Sequence, residues 1–114
     1  MSTCPIIAID PGNAQSGYCV IDRNTLRPLE FGKVDNAELL RKLASATEQG
    51  WRWAVIEMVA SYGMSVGREV FDTVLWIGRF YQALNACCPV RLLCRIEEKR
   101  HICPVSYTHL TLPT

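Results

Sequence analysis

The sequence predicts an α/β fold built on a mixed sheet, with three hairpin-linked strands first and β-α-β units after them. Short apolar runs rich in β-branched residues crowd the first third of the chain, separated by turn signals. Two segments with helical period follow, and each leads into another apolar run.

Ile6-Ile7-Ala8-Ile9 stops at Asp10-Pro11-Gly12, which reads as a buried strand entering a turn. Gly17 to Asp22 is a second apolar run, so the pair reads as an antiparallel hairpin. Arg23-Asn24 opens another turn, and Leu29 to Val34 alternates apolar and polar residues as a half-exposed strand does. Asp35 stands where a helix N-cap belongs, and Glu38 completes a capping-box pattern. Leu39, Leu40, Leu43 and Ala44 recur at helical spacing, with Gly50 as the stop. Arg41 and Lys42 read as a wet helix face. Trp53 to Val59 is another buried strand, and Ser61 to Gly67 a loop. Val66, Val70, Val74, Ile77, Tyr81 and Leu84 follow steps of three and four, which predicts the apolar face of a long helix. Arg68, Asp72 and Arg79 lie off that stripe. Pro89 ends it, and Val90 to Ile96 alternates as a last strand. The predicted order is β-β-β-α-β-α-β, without internal repeats.

A length of 114 residues suits one small domain. Ample apolar content with a net charge of +1 argues against disorder. No uncharged apolar stretch approaches the about 18 residues of a membrane span. The opening MSTCPIIAID has no basic region leading into an apolar core, so no signal peptide is read. A near-neutral balance leaves no global basic excess, so affinity for an acidic polymer needs a local arrangement. Cys4, Cys19, Cys87, Cys88, Cys94 and Cys103 form no C-x-x-C pair. They read as reduced cytosolic thiols serving as small apolar residues.

Two carboxylates break the pattern. Asp10 directly follows apolar strand residues, and Glu57 lies inside Trp53-Ala54-Val55-Ile56-Glu57-Met58-Val59. An ionised carboxylate in a buried strand is costly unless a cation, donor or metal compensates it. Each has an ordinary alternative: Asp10 as a turn former, Glu57 as a strand end reaching solvent. If the first strand neighbours the fourth, the two carboxylates lie side by side and repel, and a divalent cation removes that repulsion. Hard oxygen donors favour Mg²⁺ or Mn²⁺ over zinc.

The segment IIAIDPGNAQSGYCVID resembles the opening hairpin of RuvC-type Holliday-junction resolvases, with Asp10, Pro11, Gly12 and Gly17 matching. AVIEMVASYGMSVGREVFDTVLWIGRF resembles that family's second block, a strand bearing a catalytic Glu, a loop and a long helix. Its Ser-Tyr-Gly-Met-x-Val-Gly wording is similar to the phage and prophage branch. The span from the first block to the last takes in well over half of the chain. The resemblance implies a ribonuclease H-like fold, a homodimer, a cytoplasmic site of action in a bacterial or phage-infected cell, and Mg²⁺-dependent cutting of four-way or otherwise branched DNA. It implies that Asp10 and Glu57 are metal ligands in a two-metal hydrolysis. Lys99 matches a catalytic-site lysine of the family, its alternative being a solvated charge at a strand exit. Arg95, Lys99, Arg100 and His101 form the local basic cluster able to contact phosphates. Where some members carry an aromatic wedge after the catalytic Glu, this chain has Ala60. Tyr62 or Met64 is then the candidate to separate bases, Tyr62 alternatively packing on the sheet.

The family takes further carboxylates from a final helix, and no acidic residue follows Glu98 here. Val105 to Thr114 (VSYTHLTLPT) resembles a translated sequencing adapter. That implies a partial nuclease domain over 1–104 and a non-native tail over 105–114, with the closing helix missing and one sheet face uncovered. The expected result for the 114-residue chain is poor purification and no junction cleavage with Mg²⁺. Two other classes fit parts of the pattern. Asp10-x-Gly12 with Gly17 also resembles the first phosphate loop of actin-like ATPases and sugar kinases, and the remaining class is an inactive DNA-binding remnant.

Overall fold

Alternation decides how the first strand lies. In β1 (Pro5–Asp10), Ile7 and Ile9 point to one face and are buried, while Ala8 and Asp10 point to the other and are exposed. The structure, a computed structural model, describes residues 3–59 and 67–94. β2 (Gln15–Asp22) and β3 (Pro28–Asp35) follow as antiparallel partners. Then come α1 (Asn36–Ala44), the single turn α2 (Ala46–Gln49), β4 (Trp53–Met58), α3 (Arg68–Asn85) and β5 (Val90–Cys94). The five strands form one sheet in the order β3-β2-β1-β4-β5. β4 is parallel to both β1 and β5. This is the predicted mixed sheet, and it makes the first strand a neighbour of the fourth.

The helices cover one face. Leu39 and Leu43 of α1 and Ile77, Phe80 and Leu84 of α3 bury against Ile7, Ile9, Val20, Ala54 and Ile56. Each such side chain contributes roughly 1.5–3 kcal/mol on leaving water. The other face has no helix over it among the described residues. Phe31 on that face is 75% exposed.

Three local expectations are corrected. The first helix does not run unbroken to Gly50: it ends at Ala44, and a separate turn follows Ser45, whose hydroxyl donates to the Lys42 carbonyl at 2.8 Å. Gly50 does terminate the region, at φ 72°, a conformation that favours glycine. Asp35 occupies the N-cap but makes no side-chain capping bond, because its carboxylate accepts from Gln15 Nε2 at 3.3 Å instead. The long helix turns its faces differently from the predicted stripe. Thr73, Ile77, Phe80 and Leu84 are buried, while Val74 is exposed. Residues 60–66, which hold the predicted loop up to Gly67 and include Val66, and residues 95–96 of the predicted last strand lie outside the described residues.

Lys42 is not on a wet face. Its Nζ lies 2.5 Å from Glu30 Oε2 and 5.4 Å from the centre of the Tyr18 ring. The Tyr18 hydroxyl donates to the same Glu30 oxygen at 2.7 Å, tying β2 and β3 to α1. Lys42, and then the Tyr18 hydroxyl, hold the Glu30 carboxyl below the usual carboxylate range. The bond to Glu30, and then burial, push the Tyr18 phenol up to about 12.

The turn between β2 and β3 is organised by Asp22. Its carboxylate accepts from the Cys4 amide at 2.9 Å, the Thr25 hydroxyl at 3.0 Å and the Asn24 amide at 3.3 Å. The Cys4 amide, first among these donors, lowers the carboxyl pKa. A depressed folded pKa stabilises above the unfolded value and stops doing so as pH falls through the folded one. Expected result: thermal stability of the wild type falls through the acidic range below the ordinary aspartate pKa. Asp22→Asn flattens that part of the profile and is less stable than wild type at neutral pH. Thermal melts of both proteins against pH check this.

Candidate active site

Asp10 is the last residue of β1 and Glu57 the last but one of β4, two adjacent parallel strands. The register runs Ile6↔Trp53 to Ile9↔Ile56, and its next step sets Asp10 opposite Glu57. Neighbouring strands lie about 4.7–4.9 Å apart, so both carboxyl groups project from adjoining positions on the sheet face away from the helices. Together they border a groove of about 700 Å³ with Ala8, Gly17, Lys33, Val55 and Leu93. Burial is corrected by the structure. Asp10 is exposed and Glu57 half-buried, because alternation puts them on the uncovered face and not in the core. Desolvation is therefore not what singles these residues out. Mutual proximity is.

The Asp10 turn is held by a closed hydrogen-bond circuit. The Gly12 amide donates to the Ser16 hydroxyl at 3.1 Å, and that hydroxyl donates to Asn36 Oδ1 at 2.5 Å. Asn36 Nδ2 donates back to the Gly12 carbonyl at 2.9 Å, and the Asn36 amide donates to the Ala14 carbonyl at 2.9 Å. Ser16 and Asn36 are each 1% exposed. The circuit ties the turn after Asp10 to the start of α1, so the carboxylate leaves the sheet from a fixed backbone. Sequence reasoning missed both residues. The signal available was a serine and an asparagine at the ends of otherwise regular elements, which reads as ordinary turn and capping chemistry.

Gly12 is required for steric reasons. A Cβ there would overlap the Gln15 carbonyl oxygen, a backbone atom that has no rotamer to move. Gly12→Ala is therefore expected to destabilise by about 1–3 kcal/mol, as overpacking against fixed atoms does. It should also increase hydrogen exchange of the Gly12 and Asn36 amides. Denaturant melts with amide exchange measure both.

The donor set fits one hard cation in part. Two adjacent carboxylates suit Mg²⁺ or Mn²⁺, which commonly take one or two carboxylates and complete their shell with water and substrate phosphate. Among the described residues, no His, Cys, Asp or Glu joins them to make a cluster of three. Tyr62, Met64, Arg95, Lys99 and Arg100 lie outside the described residues, as do Ala60 and His101. Cys4, Cys19, Cys87, Cys88 and Cys94 form no disulfide among the described residues, and burial raises the Cys88 pKa. No helix among the described residues is long and apolar enough to cross a membrane.

The element order and the sheet order are those of a ribonuclease H-like fold. Comparison with solved structures supports that class. The chain superposes on RuvC of T. thermophilus in complex with a Holliday-junction substrate with a TM-score of 0.70 at 13% identity, over 88% of this chain and 70% of that one. A second Thermus thermophilus RuvC structure gives 0.60 at 16% identity, over 84% and 67%. The cytoplasmic domain of EpsL, an inner-membrane component of the Vibrio cholerae type II secretion system, gives 0.50 at 16% identity, over 81% and 58%. No family model matches the chain, and no curated protein matches it. Likeness at these identities establishes the fold. The EpsL match shows the same architecture in a protein named for another role, so function has to be argued from the site.

Proposed function

We propose that this chain is a nuclease-type hydrolase domain of the Holliday-junction resolvase kind, acting on branched DNA with Mg²⁺ or Mn²⁺. The observation that carries the reading is the side-by-side placement of Asp10 and Glu57 on the open face of the sheet. The fold shared with a protein solved on a Holliday junction supports it. The sequence wording around Tyr62 and Met64 supports assignment to the phage-like branch.

Asp10 and Glu57 would hold the cation. The chemistry that such a cation supplies when bound is neutralisation of phosphate charge and activation of water for in-line attack. Asp10 provides a carboxylate on a turn braced by Ser16 and Asn36, so its oxygen atoms need little reordering on binding. Glu57 provides the second carboxylate from a strand paired on both sides. Lys99 and the cations of Arg95 and Arg100 are proposed to meet the phosphates, and Tyr62 or Met64 the bases at the crossover.

A homodimer belongs to the same reading. The outward side of α3 exposes Phe71 (65%) and Leu75 (61%), with Val74 beside them. Apolar surface of this kind marks contact with another molecule, and a two-fold junction suits a two-fold partner.

The test is binding of a labelled four-way junction and of a duplex of equal length by the 114-residue chain. Tighter binding of the junction than of the duplex is expected. Equal affinity for both DNAs, or binding of ATP with none of the junction, would count against the nuclease reading and favour the nucleotide-binding one.

A further inference from the structure

We infer that Lys33 is a phosphate-contacting residue of the same groove, holding the sugar-phosphate backbone of the DNA across a glycine floor from Asp10. The inference rests on the branched-DNA reading above. The register places Asp10 opposite Gly17 and Gly17 opposite Lys33, so the three lie in one row across β1, β2 and β3 on the uncovered face. The outer two are separated by two strand spacings, roughly 10 Å. Asp10, Gly17 and Lys33 also border a second, smaller cleft with Pro11, Gly12 and Gln15.

Three features make this row a site and not a chance alignment. First, Gly17 is not demanded by the fold. A Cβ at that position would meet the Asp10 Cβ and the Gly32 carbonyl oxygen at 3.9 Å, ordinary contact. Its effect is to leave a trough open between a carboxylate and an ammonium group. Second, no ion pair or hydrogen bond engages the Lys33 ammonium among the described residues. Lys42, the other lysine there, is taken up by Glu30. Third, Lys33 shares its face with Phe31, which is exposed, and a cation beside an exposed aromatic ring suits a polyanion with stackable bases. A phosphate held by a cation at Asp10 would leave an adjoining part of the strand above Gly17, within the sweep of the long lysine stem.

The experiment measures binding of a fluorescein-labelled four-way junction by the full 114-residue chain at several monovalent salt concentrations. Lys33→Gln is expected to weaken binding several-fold at low salt. It should lower the slope of log K against log salt by about 0.7–0.9, the loss of one phosphate contact. Lys33→Arg should restore the slope, and Lys33→Glu should weaken binding further than Lys33→Gln. Circular dichroism of the variants should match wild type, since the side chain is exposed and has no partner among the described residues. A wild-type chain that binds the junction, with an unchanged slope in Lys33→Gln, overturns the Lys33 assignment alone. A wild-type chain that binds no junction overturns the nuclease reading and this inference with it.

Discussion

Asn36→Ala is expected to lower the stability of the protein by about 2–4 kcal/mol, since it strips partners from two polar groups at once and each costs about 1–3 kcal/mol when left unsatisfied. The amide side chain accepts from the Ser16 hydroxyl and donates to the Gly12 carbonyl, 20 and 24 positions away in sequence. Its removal leaves the Ser16 hydroxyl, itself almost fully buried, without an acceptor, and the Gly12 carbonyl without its donor. The backbone bond from Asn36 to Ala14 survives the substitution, so α1 keeps its start while the turn loosens.

Asn36→Asp separates the two halves of that loss. A carboxylate still accepts from Ser16 but faces the Gly12 carbonyl with an oxygen instead of a donor, and it brings a charge into a buried place. Ser16→Ala removes the hydroxyl that links Gly12 to Asn36, and so also strips partners from two groups, the Gly12 amide and Asn36 Oδ1. Both alanine variants should therefore rank below wild type by similar amounts, with Asn36→Asp at or below Asn36→Ala. Urea melts give the ranking. A double variant Ser16→Ala/Asn36→Ala should cost less than the sum of the singles, since both break one circuit. Strict additivity would mean that the two side chains stabilise the fold independently.

What the sequence disclosed follows what depends on neighbours in sequence. Ile6 to Ile9, Gly17 to Asp22 and Trp53 to Val59 carry strand period and composition, so their existence and their order were legible. The pairing of β1 with β4 depends on the path of the chain between them, and entered only as a condition. Asp10 shows the limit of reading burial from neighbours. Ile7 and Ile9, which precede it, face the helices, yet Asp10 itself falls on the alternate side, which is open. The long helix shows a second limit. Val70, Phe71, Val74, Leu75, Trp76, Ile77, Phe80 and Tyr81 place apolar residues nearly all round, so periodicity alone does not choose the buried side. Thr73 and Phe80 win because Thr73 satisfies its hydroxyl on the Glu69 carbonyl at 2.8 Å, while Trp76 packs beside Phe80 and under the Arg79 guanidinium. The Ser16–Asn36 circuit was invisible for the same reason as the β1–β4 pairing: its members meet only after the sheet and α1 have formed.

Asp10→Asn provides the second large effect, and its sign separates a site residue from a structural one. Asp10 makes no hydrogen bond or ion pair among the described residues, while a second carboxylate stands on the adjoining strand. Two unit negative charges about 5 Å apart repel by about 1 kcal/mol in a water-like dielectric and by about 3 kcal/mol at an effective dielectric constant of 20. Exposure of Asp10 places the pair near the lower figure. In the absence of divalent cation, Asp10→Asn should therefore be more stable than wild type by about 1 kcal/mol. Functional carboxylates held together against their repulsion lower stability in this way. Adding Mg²⁺ or Mn²⁺ should reverse the order. A cation at ten times its dissociation constant contributes about 1.4 kcal/mol to a protein that binds it only when folded. Wild type should gain that increment, and the variant, with one carboxylate left, should not. Thermal melts of both proteins with EDTA and with rising Mn²⁺ read the crossing directly. If Asp10→Asn is instead less stable than wild type in EDTA and both respond equally to Mn²⁺, Asp10 is a turn residue and the metal assignment fails.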